Sequence, residues 1–121
     1  MKTILVVDDE YAIVDALQAL LEDEGFAVVT ASDGREAIAR LREATPDVVL
    51  LDLMMPGMDG RETLRIIRAD PALSHLPVVL MSAAKHALAN PPAHDASATL
   101  PKPFAVERLL ELIERLSPDE K

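Results

Sequence analysis

Residues 48–60 read Val-Val-Leu-Leu-Asp-Leu-Met-Met-Pro-Gly-Met-Asp-Gly, an apolar run that ends in one acid and a loop rich in Pro and Gly. Four consecutive apolar residues, 48–51, are typical of a strand that is buried on both faces of a parallel sheet. A carboxylate is rarely placed at the end of a buried run without a partner. Asp52 is therefore predicted to have a partner at the end of this strand.

Apolar runs of the same kind recur along the chain and alternate with segments of helical periodicity. The other runs lie at 4–7, 26–30, 78–81 and, more weakly, 98–100. Strands that alternate with helices in one small domain need right-handed crossovers, which place helices on both faces of the sheet. The sequence therefore predicts an α/β three-layer sandwich with a five-stranded parallel sheet. We expect the flavodoxin-like (βα)5 arrangement of such sheets, in which the strand order is 2-1-3-4-5.

Cap and breaker residues predict where the helices begin and end. Gly25 is expected to end the first helix, and Asp59 to cap the third. Residues 106–116 carry the apolar stripe of the last helix. Pro91-Pro92 limits any helix that starts near residue 84 to about two turns, so the fourth helix is predicted to be shortened or irregular.

Length, charge and cysteine content exclude several classes of protein. The chain has 121 residues, no Cys, and a net charge of -9 from 21 acidic and 12 basic residues. This size suits one domain, so residues 1–121 are expected to form a single domain without an output domain. The absence of Cys excludes disulfides and thiol nucleophiles, and the acidic charge argues against direct nucleic acid binding. No stretch resembles a membrane span or a signal peptide, so no membrane insertion and a cytoplasmic location are expected.

Ionisable or hydroxyl side chains follow four of the five predicted strands. Asp8 and Asp9 follow the first strand, Asp52 the third and Ser82 the fourth, and Lys102 lies near the end of the fifth. Ligands of open α/β sheets bind beyond the carboxyl ends of the strands where the strand order reverses, here between strands 1 and 3. Three carboxylates at that point repel one another, and Mg²⁺, or Mn²⁺ in its place, would relieve the repulsion. With a lysine and a hydroxyl for phosphoryl oxygens, the set fits phosphoryl transfer onto a carboxylate.

The sequence resembles the receiver domains of two-component response regulators over nearly its whole length. The matching segments are ILVVDDE at 4–10, VVLLDLMMPGMDG at 48–60, PVVLMSA at 77–83 and LPKPF at 100–104. The resemblance implies that Asp52 is the phosphoacceptor of a phosphorelay. It also implies that Asp8 and Asp9 form the Mg²⁺ pocket with Asp52, with Asp9 the more direct ligand. The main-chain carbonyl of Met54 would complete the protein ligands.

The resemblance also gives roles to the remaining strand-end residues. Ser82 would be the hydroxyl that moves toward the phosphoryl group, and Lys102 would bind a phosphoryl oxygen from before a cis bond to Pro103. The implied protein is a stand-alone switch that catalyses only its own phosphorylation and dephosphorylation. Its implied partners are a histidine kinase or histidine phosphotransfer protein and a downstream protein that the sequence does not identify. A homodimer through the first, fourth or last helix stays open.

Three positions depart from the family pattern. Thr99 stands where the family usually has a Tyr or Phe three residues before the lysine, and Asp95 stands where it usually has a Gly. Pro91-Pro92 interrupts the fourth helix. The residues for phosphorylation are complete, whereas the usual readout through the fourth helix, fifth strand and last helix is not expected to hold unchanged.

Two other functions fit parts of this pattern. A phosphohydrolase of the haloacid-dehalogenase type needs a second Asp two residues after its nucleophile as general acid, but that position holds Met54. An adaptor that uses the same fold without phosphorylation is consistent with Thr99 and with the irregular segment 84–97.

Arg61, Arg65 and Arg68 recur at helical spacing on the predicted third helix. Such a strip is more often a solvated helix face than a binding site. The alternative is a contact with an acidic partner.

Overall fold

Strands and helices alternate in the computed structural model, which describes residues 1–84, 87–88 and 95–117. The strands are β1 (Thr3–Val7), β2 (Ala27–Ala31), β3 (Val48–Asp52), β4 (Val78–Ser82) and β5 (Ala98–Pro101). The helices are α1 (Tyr11–Asp23), α2 (Gly34–Glu43), α3 (Gly60–Ala69) and α4 (Val106–Leu116). None of the helices in these residues is both long enough and apolar enough to span a bilayer.

The five strands form one parallel sheet in the order β2-β1-β3-β4-β5, which confirms the predicted topology. β1 pairs with both β2 and β3, so the direction of winding reverses between β1 and β3. The register sets Val7 of β1 opposite Leu51 of β3, and Asp52 opposite Met81 of β4. The carboxyl ends of β1 and β3 are therefore neighbours, and they border the crevice where ligands of such sheets bind.

Helices cover both faces of the sheet and form two apolar cores. Leu5 and Val7 of β1 face α2 and α3, which we call the α2–α3 layer. Ile4 and Val6 of the same strand face α1 and α4, the α1–α4 layer. Every residue of β3 and β4 is buried, as expected for central strands with helices on both sides.

The predicted helix ends are found, and one strand is offset by one residue. Asp59 caps α3 by accepting a hydrogen bond from the Glu62 N–H at 3.0 Å. Gly25 follows α1 with a φ of 95°, a conformation that favours glycine. β2 starts at Ala27 rather than at Phe26, because the Phe26 N–H donates to the Leu21 carbonyl of α1 at 3.0 Å.

The predicted shortened fourth helix lies between β4 and β5 and is not α4, which is the last helix of the chain. It falls mainly on residues outside those described, Pro91-Pro92 among them. Ala87 and Leu88 are described, and both are buried against the core under the α2–α3 layer. On β5, the half-buried Thr99 pairs with Leu80.

Candidate functional site

Three acids meet at the carboxyl ends of β1 and β3. Asp8 and Asp9 directly follow β1, and Asp52 is the last residue of β3. One carboxylate oxygen from each lies within 4.8 Å of the others. Asp8 and Asp52 are 1% and 4% exposed, whereas Asp9 is open to solvent. The topology thus brings together the three acids that the sequence placed at strand ends.

Lys102 reaches into this cluster from the loop after β5. Its Nζ donates to Asp8 Oδ2 at 2.8 Å and to Asp52 Oδ1 at 3.4 Å. Its backbone N–H donates to the Ser82 carbonyl at 2.9 Å, which fixes the loop to β4. The bond from Lys102 to Pro103 is cis, as the resemblance implies. One ammonium therefore links the two buried carboxylates.

Ser82 and Met54 lie at the border of the cluster. Ser82 ends β4 and is fully buried, and its hydroxyl accepts a hydrogen bond from the Ala84 N–H at 3.0 Å. The backbone N–H of Met54 donates to the Asp52 carboxylate, while the Met54 side chain is 60% exposed. The use of the Met54 carbonyl as a metal ligand stays a prediction.

The Asp52 carboxylate sits in an unfavourable electrostatic environment. Burial and, second, the charge of Asp8 raise its pKa from 3.8 to about 6. The Lys102 charge and the Met54 N–H act in the opposite direction. Because the resulting pKa still lies below neutrality, Asp52 is mainly ionised at about pH 7 to 8 and can act as a nucleophile.

Lys102 stays cationic in this environment. Burial alone lowers its pKa, but the hydrogen bond and charge of Asp8 and the charge of Asp52 outweigh burial and raise it. The cluster thus holds three carboxylates against one permanent cation, and this surplus of negative charge suits an added cation.

Gly60 shapes the backbone beside Asp52, a role that the sequence analysis did not predict. A Cβ at this position would collide with the Asp52 carbonyl oxygen and lie 2.6 Å from the Leu53 Cα. The Gly60 N–H donates to the Leu53 carbonyl at 3.0 Å. Only glycine therefore allows α3 to start this close to the end of β3. The sequence did contain a signal for this role. Gly60 directly follows the capping Asp59 at a helical position, where glycine is unfavourable unless space requires it.

An apolar groove of about 540 Å³ opens next to Lys102. One wall comes from α1 and the other from the loops after β4 and β5. Its lining residues are Ala12, Ile13, Ala16, Leu17, Ala83, Lys102, Pro103 and Phe104. The charged cluster therefore has an apolar surface at its border.

Comparison with known proteins assigns this arrangement to a family. Residues 4–114 match the model of the response regulator receiver domain. The chain belongs to this family. A receiver domain of this kind is the part of a two-component response regulator that receives the signal.

Similar proteins include response regulators that are longer than this chain. The response regulator MprA of Mycolicibacterium vanbaalenii is 40% identical over 97% of this chain and 52% of its own length. The DNA-binding response regulator MtrA of Mycobacterium tuberculosis is 45% identical over 66% of this chain and 34% of its own length. The receiver domain described here thus spans about half the length of the curated relatives, or less.

Solved structures give the same fold. The response regulator TrrA of Thermotoga maritima, in complex with Mg²⁺-BeF, has a TM-score of 0.89 and 34% identity, covering 96% of this receiver domain and 99% of TrrA. The chemotaxis protein CheY4 of Vibrio cholerae has a TM-score of 0.87 and 33% identity, covering 96% and 98% of the two chains.

Proposed function

We propose that this receiver domain is a phosphorylation switch that accepts a phosphoryl group on Asp52. The observation that carries the proposal is the placement of Asp52, a buried but ionisable carboxylate at the sheet crevice, 3.4 Å from the Lys102 ammonium. Its pKa of about 6 keeps it ionised at neutral pH, while burial removes the water that would weaken it as a nucleophile.

In the proposed reaction, one Asp52 carboxylate oxygen forms a bond to phosphorus. The bond from phosphorus to the donor's imidazole nitrogen breaks, and its electron pair stays on the imidazole, which later takes a proton from solvent. The product is an acyl phosphate on Asp52. Water can then attack the phosphorus. The bond from phosphorus to the Asp52 oxygen breaks, a proton passes to solvent, and inorganic phosphate and the free carboxylate result. The domain thus catalyses only its own modification and reset.

The carboxylates of Asp8, Asp9 and Asp52 fit a single Mg²⁺, or Mn²⁺ in its place. Their oxygens lie within 4.8 Å of one another, and Asp9 is exposed and so accessible to an incoming ion. We propose the Met54 carbonyl as a further ligand. The bound ion would neutralise charge that builds up on the transferring phosphoryl oxygens.

Lys102 and Ser82 are proposed to hold the product. The Lys102 ammonium already contacts Asp52, so it can pair with a phosphoryl oxygen once Asp52 is phosphorylated. The Ser82 hydroxyl can turn from the Ala84 N–H to a phosphoryl oxygen, and this movement would report phosphorylation to the segment after β4.

We infer that a histidine kinase or histidine phosphotransfer protein donates the phosphoryl group. The apolar groove beside Lys102 offers a docking surface for a helix of this donor protein, and the groove borders the acidic cluster directly. Output is proposed to pass to a downstream protein through contacts of the domain surface.

The proposal is tested by incubating the protein with acetyl phosphate and Mg²⁺ and measuring its intact mass. The wild type should gain one phosphoryl group that is lost at alkaline pH, and Asp52→Asn should gain none. Asp15→Asn, on the exposed face of α1, is the matched control and should behave as wild type. Equal labelling of wild type and Asp52→Asn would refute the proposal. Complete absence of labelling would favour a phosphorylation-independent adaptor.

A further inference from the structure

The two helix layers carry opposite charge. The helices of the α2–α3 layer contain six arginines and three glutamates, a net charge of +3. The helices of the α1–α4 layer contain two arginines and six acids, a net charge of -4. In a chain with a net charge of -9, the basic side chains are therefore concentrated on one face.

Most of these arginines have no carboxylate partner. Arg40 occupies both acids of α2, with distances of 3.8 Å to Glu36 and 3.5 Å to Glu43. Four others are exposed, and within the described part of the chain their guanidinium groups make no ion pair or hydrogen bond. They are Arg35 and Arg42 of α2 and Arg61 and Arg65 of α3, which together we call the arginine face.

Arg68 does not belong to this face, although its spacing in the sequence placed it there. Its guanidinium is half-buried and donates to the carbonyls of Leu76 at 2.7 Å and Asp95 at 2.8 Å. It also donates to the Ser74 carbonyl at 3.2 Å. Arg68 therefore ties loops together, whereas Arg61 and Arg65 stay available to a partner.

The two helices of this face are packed closely at their first turns. A Cβ on Gly34, the first residue of α2, would collide with the Thr63 hydroxyl of α3 and lie 2.8 Å from the Met58 carbonyl oxygen. This contact holds the first turns of α2 and α3 together, so Arg35 and Arg61, which lie in those turns, are carried on two helix ends packed against each other.

We propose that the arginine face binds an acidic helix of a protein partner. Arginines at i, i+4 spacing, such as Arg61 and Arg65, match carboxylates at the same spacing on a second helix. The acidic α1–α4 layer lies on the opposite face of the sheet, so salt screens its charges more strongly than those of the nearby arginines. A short acidic segment on this face is consequently attracted by the local positive charge.

Other occupants fit this face less well. A nucleic acid duplex is a long polyanion, and the net charge of -9 opposes its approach. A membrane needs apolar anchors, and none of the large apolar side chains exposed in the described residues lies on α2 or α3. A second copy that offered its acidic α1–α4 layer would make a head-to-tail contact, which does not close into a two-fold dimer.

The test uses a fluorescent helical peptide with glutamates at i, i+4 spacing, measured by anisotropy on the unphosphorylated full chain. Binding should weaken with added salt, and Arg61→Glu/Arg65→Glu should weaken it by about tenfold or more. Arg108→Glu/Arg115→Glu on α4 changes the net charge equally and should change affinity by less than about twofold. Arg61→Gln/Arg65→Gln should give an intermediate loss, and it replaces the reversal variant if that variant does not fold.

Several results would overturn the proposal. An equal loss of peptide affinity in the α3 and α4 variants would mean that only the net charge of the protein determines binding. Tighter binding of a short DNA duplex than of the peptide would make the face a polyphosphate site. No peptide binding by wild type, or self-association in sedimentation that Arg61→Glu/Arg65→Glu abolishes, would equally exclude it. Because phosphorylation is not involved, these outcomes are independent of the role of Asp52.

Discussion

Replacing Asp52 by Asn is expected to stabilise the cation-free receiver domain at neutral pH, although it removes the proposed acceptor. The pKa of Asp52 is raised from 3.8 to about 6, so its ionised form is disfavoured in the folded state. About two pKa units at about 1.4 kcal/mol each give a cost of about 3 kcal/mol once the group is ionised in both states. Asn has nearly the same shape and no charge, so it avoids this cost.

The pH dependence of the effect follows from the sign of the shift. The folded protein binds more protons than the unfolded chain between the two pKa values, 3.8 and about 6. The contribution of Asp52 to the free energy of unfolding therefore falls as the pH rises through this window. The advantage of Asp52→Asn should be close to zero below about pH 4, grow to about 3 kcal/mol by about pH 7, and then stay constant.

Urea denaturation in EDTA at constant ionic strength, followed by circular dichroism across this pH range, measures the difference directly. Asp15→Asn removes an exposed carboxylate of α1 and should leave the unfolding free energy within about 0.5 kcal/mol of wild type at every pH. The electrostatic reasoning is refuted if Asp52→Asn does not raise the free energy of unfolding at about pH 8. It is also refuted if the increase is the same at about pH 4 and at about pH 8.

Four further predictions concern single residues of the site and its surroundings. Saturating Mg²⁺ should stabilise wild type by about 2 to 3 kcal/mol at a hundredfold excess over its Kd, and Asp9→Asn should lose most of this gain in a thermal shift assay. Lys102→Met leaves Asp8 and Asp52 without their shared cation and should cost about 3 kcal/mol at about pH 8 but less at about pH 5, where Asp52 with its pKa of about 6 is mostly protonated, as measured by urea denaturation. Gly60→Ala should cost about 2 kcal/mol in the same assay and slow labelling by acetyl phosphate, because the added Cβ displaces the Asp52 backbone; normal stability and labelling would contradict this. Arg68→Ala should cost about 2 kcal/mol, against less than about 0.5 kcal/mol for the exposed Arg65→Ala, and equal effects would refute the anchoring role of Arg68.

Local signals in the sequence were sufficient for the sheet and the helix ends. The buried runs predict strands, and Asp59 and Gly25 set helix ends through interactions within a few residues. Right-handed crossovers leave only a handful of strand orders, and the flavodoxin-like order 2-1-3-4-5 that we expected among them is the one found. That order in turn places Asp8 beside Asp52. The start of β2 was predicted one residue early, because the Phe26 N–H is held by α1, a contact that hydrophobic patterning does not contain.

Interactions between distant segments could not be predicted in this way. Arg68 and Arg65 have the same residue type and fall on one helical strip, yet only Arg68 is held by carbonyls, of Leu76 and Asp95. Their difference depends on where the loops before β4 and β5 pass over α3. The role of Gly60 likewise depends on how closely α3 approaches β3, which its neighbours in sequence do not reveal.

The electrostatics of the acidic cluster affect both the stability of the fold and the proposed phosphorylation of Asp52. Burial and, second, the charge of Asp8 raise the pKa of Asp52 and destabilise the fold in the absence of a metal ion, and a single lysine offsets only part of this cost. The same repulsion makes an added divalent cation favourable, because the ion removes a cost that already exists in the folded state. Phosphorylation of Asp52 would add further negative charge at this point, so it should strengthen cation binding and be strengthened by it to the same degree. Measuring the Mg²⁺ affinity of the domain before and after phosphorylation tests this reciprocity. An unchanged affinity would mean that Mg²⁺ binding and phosphorylation are not coupled.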